Sequence, residues 1–133
     1  MRVNFTVTVT AGTPVNVATA LNSVAMVAAG FANGAPLPRK LVNRLFIQMI
    51  HGGSGRGYVM DGIQGVTSAT QQWRVPDATV STDMTAELAP ATATAPGGSY
   101  GDSDNDHGID VSKTWVDGSN TGDKIQISID LRV

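Results

Sequence analysis

The chain lacks cysteine altogether, since none occurs among its 133 residues. This absence excludes disulfide bonds, thiolate metal sites and cysteine nucleophiles. Long apolar runs are also missing, and none approaches the ~20 residues that a membrane-spanning helix needs. A net charge of −2 is far from the strongly basic balance that is typical of a nucleic-acid-binding domain. We therefore expect neither a membrane nor a nucleic acid as a partner.

Acidic residues are missing from the first 60 positions, and all 11 of them lie from Asp61 onward. The basic residues of the acid-free part are Arg2, Arg39, Lys40, Arg44 and Arg56. Such an asymmetry can mark an interaction surface. The alternative is that antiparallel strands from the two halves interleave, so that the charges mix in the fold. We favour the second interpretation.

Two stretches alternate strictly between apolar and polar residues. Every second residue is Val, Ile, Leu or Phe from Val3 to Val9 and from Ile125 to Val133. Because successive strand residues point to opposite faces, both stretches are predicted to be half-buried strands. The apolar run Leu41–Ile50 predicts a central strand, and we expect it to form a hairpin with Tyr58–Ile63 across a glycine-rich turn. Short strands separated by Gly, Asn and Asp turns favour an all-β fold, an antiparallel β-sandwich or barrel.

Two segments, 15–38 and 77–106, show a weaker pattern. The alanine-rich part of the first, Val15–Phe31, has apolar residues at helical spacing and allows one short helix. We expect a strand at Trp73–Val75, just before the second segment. The second segment contains Ala89–Gly98. The composition of Ala89–Gly98 is that of a long extended arm with little capacity to pack. We therefore expect a single domain, 1–133, with loop insertions at about 15–38 and 77–106.

The acidic turn at Asp102, Asp104 and Asp106 resembles the start of a calcium-binding loop, because alternating carboxylates suit a hard cation. The complete motif needs Gly at its sixth place and Glu at its twelfth, where this chain has His107 and Lys113. A solvated acidic turn is the favoured interpretation. We expect no metal and no cofactor.

Catalytic motifs are also incomplete. The glycine run 52–57 lacks the Lys-Ser/Thr of a phosphate-binding loop, so it is interpreted as a hairpin turn. The two histidines, His51 and His107, are not accompanied by a Gly-x-Ser-x-Gly nucleophile elbow. We expect that the protein is not an enzyme.

The order of several segments resembles a known family. These segments are Ala11–Pro14 after the first strand, Arg44–Gln48, Gly57–Val59, Val111–Gly118 and Gly122–Asp123 before the final strand. They resemble small structural proteins of tailed bacteriophage virions, which include head decoration or cement proteins and neck or tail components. The resemblance implies a β-sandwich, often of jelly-roll type, that oligomerises on a capsid or a tail.

The function implied by this resemblance is that of a capsid decoration or cement protein, which binds between capsid subunits and stabilises the head. The implied partners are the major capsid protein or other virion proteins and further copies of the chain, with a trimer favoured. The implied location is the virion, assembled in the host cytoplasm. Candidate interface residues are Arg39, Lys40, Arg44, Arg56, Leu88, Pro90, Pro96 and Tyr100.

Two alternatives stay open at this point. One is a neck or tail structural component with the same fold. The other is a carbohydrate-binding host-attachment module, in which Trp73, Trp115 and Tyr100 stack on sugar rings beside the Asp102–Asp106 turn.

Overall fold

The protein is an all-β sandwich in a computed structural model that describes residues 1–21, 27, 30, 42–50, 55–64, 73–104 and 106–132. The described strands are β1 (Arg2–Thr8), β2 (Val15–Asn16), β3 (Val42–Met49), β4 (Gly57–Asp61), β5 (Ile63–Gln64), β6 (Trp73–Arg74), β7 (Met84–Leu88), β8 (Ser99–Ser103), β9 (Thr114–Gly118) and β10 (Lys124–Leu131). One short helix, α1 (Val17–Leu21), follows β2. The described residues include no helix with the length and apolarity that crossing a membrane requires.

The first sheet has the strand order β1-β10-β3-β8, with antiparallel neighbours throughout. Its centre is β10, where Ile125, Ile127 and Ile129 are fully buried and alternate with half-buried polar residues. The predicted strands at both ends of the chain are therefore confirmed. They also pair with each other, which places Arg2 opposite Asp130. The interleaving of the two differently charged halves is confirmed by this pairing.

The second sheet has the order β2-β9-β4-β7 and packs its apolar side against the first sheet. The predicted hairpin between Leu41–Ile50 and Tyr58–Ile63 is wrong, because β3 and β4 belong to different sheets. The chain crosses from one sheet to the other between them. A side chain at Gly57 would collide with that of Met49, so any other residue at the start of β4 would force the buried Met49 side chain to move.

The segment 77–106 is not the unpacked arm that its composition indicates. It contributes β7 to the second sheet and β8 to the first, and its Leu88 and Ala91 are buried in the core. The Gly97 amide donates to the Met49 carbonyl (2.8 Å), and the Gly98 amide donates to the Ala89 carbonyl (3.0 Å). A side chain at either glycine would collide with the Ala89 backbone. The two glycines thus fix the chain against the sandwich.

The segment 15–38 begins with β2 and α1, so the short helix is confirmed over Val17–Leu21. Val17 and Leu21 are fully buried, and the Asn16 side chain accepts the Thr19 amide (3.1 Å), which satisfies a free donor in the first turn. The later part of this segment, 31–38, lies outside the described residues. The predicted strand at Trp73–Val75 is present as β6, which pairs with β5.

Replacing Ile127 with alanine is expected to destabilise the protein strongly. Ile127 is fully buried between Phe5 of β1 and Ile47 of β3, so Ile127→Ala leaves a cavity in the middle of the first sheet. We expect a loss of about 2–5 kcal/mol in the free energy of unfolding, measured by urea denaturation. The matched control is Gln126→Ala on the outer side of the same strand, for which a change below about 0.5 kcal/mol is expected. Equal losses for the two variants would contradict the assignment of faces.

Candidate functional site

The outer side of the first sheet is an open surface that four described strands form together. We call it the first-sheet face. Its side chains come from Arg2, Asn4, Thr6 and Thr8 on β1, from Lys124, Gln126, Ser128 and Asp130 on β10, from Arg44, Phe46 and Gln48 on β3, and from Ser99 and Ser103 on β8. A shallow depression of about 450 Å³ lies across β1, β10 and β3 on this face. The sheet therefore presents one dry and one wet side, as the alternation predicts.

Charged residues form a row at one end of the first-sheet face. Asp130 lies opposite Arg2 on one side and Arg44 on the other. The Arg2 Nε donates to Asp130 Oδ1 (2.8 Å), and this hydrogen bond is the main reason that the pKa of Asp130 lies below its usual value. The charge of Arg44 also lowers this pKa, and the row carries one excess positive charge. The next row is neutral, with Ser128 donating to Asn4 Oδ1 (2.5 Å).

Phe46 interrupts this polar surface near its centre. Its side chain is 40% exposed, although it lies between the core residues Leu45 and Ile47. Its partner on β8 is Gly101, and a side chain there would begin 3.8 Å from the Phe46 ring. The ring therefore covers the bare backbone of the glycine and leaves its remaining surface to solvent. An exposed aromatic ring beside arginine is the composition found at the centres of protein interfaces.

The predicted interface residues are distributed over several surfaces. Arg44 lies on the first-sheet face and is exposed, whereas Arg39 and Lys40 lie outside the described residues. Arg56 forms an ion pair with Glu87 (2.5 Å) across β4 and β7 of the second sheet. Arg56 and Glu87 line a separate depression of about 350 Å³ together with Leu88, Ala89 and Pro90.

Leu88 and Tyr100 are largely internal residues. Leu88 is 2% exposed and belongs to the core, so it offers little surface to a partner. Tyr100 packs partly against the core, and burial raises the pKa of its phenol. Pro90 and Pro96 are exposed and flank a turn at 92–95, which is closed by a hydrogen bond from the Thr92 amide to the Ala95 carbonyl (2.9 Å). The exposed part of the predicted arm is therefore confined to this turn and its flanks.

The acidic turn uses one of its carboxylates to hold its own backbone. Asp104 Oδ1 accepts the amides of Asp106 (3.0 Å) and His107 (2.9 Å). The part of the chain that the structure describes brings no three His, Asp or Glu side chains together in a way that could hold a metal ion. Asp102, Asp104 and Asp106 are thus not assembled into a cation site there.

The described part of the glycine-rich turn has its amides occupied. The Gly55 amide donates to Asp123 Oδ2 (3.1 Å), and the Arg56 amide donates to Ser119 Oγ (2.8 Å). These contacts tie the turn to the β9–β10 connection. His51 and the three residues after it lie outside the described residues.

Two of the three aromatic residues of the carbohydrate-binding hypothesis can be placed, and these two do not share a platform. Tyr100 lies in the first sheet and packs against the core. Trp115 lies in β9 of the second sheet, on the opposite side from the fully buried Val116. The side chain of Trp73 lies outside the described part of the structure. The core therefore separates the two rings that can be placed.

Sequence reasoning missed the buried carboxylate of Asp117. It is 4% exposed and lies beside a depression of about 400 Å³ that Tyr58 and Pro76 also line. The Gly118 amide donates to Asp117 Oδ1 (2.8 Å), yet burial outweighs this contact and raises the pKa of the carboxyl. An Asp-Gly pair in a sequence indicates a turn and carries no signal of burial. Phe46 was missed as a surface residue because it stands inside an apolar run.

Comparisons with known proteins do not extend this description. No family model, curated protein or solved structure matches the chain. A proposal for its function therefore depends on the first-sheet face and on the motifs of the sequence.

The Asp117→Asn variant is expected to gain stability relative to the wild type as the pH rises. Burial raises the pKa of Asp117, so the folded protein holds this proton more tightly than the unfolded chain does. The free energy of unfolding of the wild type then falls as the pH rises from the ordinary pKa of 3.8 through the raised value. Asparagine does not titrate and keeps an oxygen that accepts the Gly118 amide. Urea denaturation from acid to neutral pH measures the difference.

The Asp130→Asn variant is the control with the opposite sign. Hydrogen bonding to Arg2 lowers the pKa of Asp130, so its contribution to stability is present above the ordinary pKa and is lost as the pH falls. This variant should lose stability relative to the wild type as the pH rises. If the stability of both variants relative to the wild type changed with pH in the same direction, the environments assigned to Asp117 and Asp130 would be contradicted.

Proposed function

We propose that the protein is a structural protein of a tailed bacteriophage virion, a decoration or cement protein that binds between capsid subunits and stabilises the head. The observation that supports this best is the first-sheet face, where Arg2, Arg44 and the exposed Phe46 surround a shallow depression. Arginine and aromatic side chains dominate the binding energy of protein interfaces. A broad, shallow surface of this kind suits another protein surface better than it suits a small molecule.

The segment Arg44–Gln48 links this surface to the family resemblance. Leu45 and Ile47 point into the core, where they are 1% and 0% exposed. Arg44, Phe46 and Gln48 point to the first-sheet face. One half of the motif thus builds the sandwich, and the other half is free to contact a partner.

Two of the other motif segments contribute the central strands of the second sheet. Gly57–Val59 in β4 pairs with Val116–Gly118 in β9, and Tyr58 lies opposite Asp117. These residues support the framework, in agreement with a family whose members share folding motifs and no catalytic ones. The jelly-roll type of connection, the virion location and the major capsid protein as partner all belong to this proposal.

The proposed mechanism is stabilisation by mass action. A protein that binds the assembled capsid, and not its separated subunits, shifts the equilibrium toward the assembled state by its binding free energy. The contact elements are the first-sheet face and the turn at 92–95, which is the exposed remainder of the predicted arm. A deletion of 88–99 would not test the arm, because it removes Leu88 and Ala91 from the core.

Replacing Phe46 with alanine is expected to weaken binding to the virion. Phe46→Ala removes the exposed aromatic ring from the first-sheet face, and the loss of such an anchor typically weakens binding by about tenfold or more. The measurement is the occupancy of the protein on purified native particles, together with the temperature at which the particles release their DNA. Val80→Ala is the matched control, because Val80 is also 40% exposed but lies outside the first sheet.

The copy number in native particles separates the proposal from its alternatives. Many copies distributed over the capsid, lost in Phe46→Ala and retained in Val80→Ala, are expected. A small number of copies at one vertex would instead assign the protein to the neck or tail. Absence from the virion would refute the proposal altogether.

A further inference from the structure

The two sheets have four edge strands, and these differ in how well they are protected against pairing with another chain. β2 has only two residues. β7 carries Glu87, and its ladder with β4 has a register shift. β8 carries Gly101 and Asp102. Such features discourage pairing with another chain. β1 is less protected, since its seven residues contain no Pro or Gly, its ladder with β10 is continuous, and its one charged residue, Arg2, is paired with Asp130 of the same sheet.

The hydrogen bonds at the two ends of β1 show which backbone groups are free. The Met1 amine donates to the Leu131 carbonyl (2.8 Å), the Leu131 amide donates to the Met1 carbonyl (2.7 Å), and the Val9 amide donates to the Asp123 carbonyl (2.8 Å). In an antiparallel ladder, hydrogen-bonded pairs alternate with non-bonded ones. The odd-numbered residues of β1 therefore bond to β10. The amides and carbonyls of Arg2, Asn4, Thr6 and Thr8 point away from it, and no described strand pairs with them.

The core-facing residues of β1 are also not all fully buried. Val3 and Val7 are buried at 5% and 7% exposure, whereas Phe5 between them is only partly buried. Phe5 packs against the core with one part of its ring and leaves the rest at the open edge of the sheet. A neighbouring strand would cover the ring and satisfy the free backbone groups at the same time.

We propose that β1 pairs antiparallel with β1 of a second copy of this chain, about a twofold axis at Phe5. The free backbone groups permit this register, because it brings Arg2 opposite Thr8 and Asn4 opposite Thr6 as hydrogen-bonded pairs. Phe5 then meets Phe5 of the second copy, and Val3 meets Val7. The two first sheets become one continuous sheet across the axis.

The sequence of β1 is self-complementary in this register, which is the reason for choosing a second copy as the occupant. Apolar residues face apolar residues on the core side, and polar residues face polar residues on the outer side. The one charged residue, Arg2, faces a neutral threonine and is already paired with Asp130 of its own chain (2.8 Å). Like charges therefore do not oppose each other. The proposed pairing is twofold and differs from the trimer favoured in the sequence analysis, and it does not depend on the proposed function.

A single cysteine at Phe5 tests the register directly, because the chain has no other cysteine. Residues in a non-hydrogen-bonded antiparallel pair have Cα atoms about 4.5 Å apart, within the range of a disulfide. Phe5→Cys should form a covalent dimer under mild oxidation at a protein concentration where the wild type is dimeric by sedimentation equilibrium. Thr8→Cys is the control, since two copies of residue 8 would be about 20 Å apart along the strands.

The Thr6→Pro variant tests the same contact without requiring a core residue to change. Proline removes an amide that points to the free edge and leaves the bonds between β1 and β10 in place. The dissociation constant of the dimer should rise at least tenfold, while circular dichroism of the diluted monomer stays that of the wild type. A wild type that is monomeric at all concentrations would overturn the proposal. A dimer that Thr6→Pro leaves unchanged, or a Phe5→Cys chain that cross-links no faster than Thr8→Cys, would do the same.

Discussion

The structure depends above all on the burial of one face of β10. Its three isoleucines, Ile125, Ile127 and Ile129, have no contact with solvent, and the strand bonds to β1 on one side and to β3 on the other. Burial of each such side chain stabilises the folded state by about 1.5–3 kcal/mol. Without β10, β1 has no neighbour among the described strands of the first sheet, and β3 keeps only β8. The second sheet then lacks the apolar surface on which it packs.

The outer side of the same strands provides the candidate site. A strand that places its apolar residues inward necessarily presents the residues between them on the opposite face. Asp130 can lie between Arg2 and Arg44 only because β10 lies between β1 and β3. The arrangement of the surface charges is thus fixed by core packing, and both halves of the chain contribute to it. The same geometry leaves β1 at an edge of the sheet, with β10 as its one neighbour among the described strands.

The strands with strict alternation could be predicted from sequence, and so could the class of fold. The sequence could not show whether β3 and β4 form a hairpin, because a glycine-rich turn is compatible with a crossing between two sheets as well as with a reversal within one sheet. β8 was hidden because its sequence offers the core only one large side chain, Tyr100. Phe46 could not be assigned to the surface, because an apolar run such as Leu45–Ile47 gives no sign of which side of the sheet is uncovered. The burial of Asp117 likewise results from tertiary packing alone.

The pairing of β1 with β10 has a consequence for the order of events during synthesis. The ion pair between Arg2 and Asp130 joins residues 128 positions apart, so the first sheet can close only after β10 has left the ribosome. Contacts of such long range slow folding and prolong the exposure of unpaired strands. Until then, β1 lacks its one partner among the described strands. Nascent chains on neighbouring ribosomes are therefore vulnerable to mispairing through β1 during this interval.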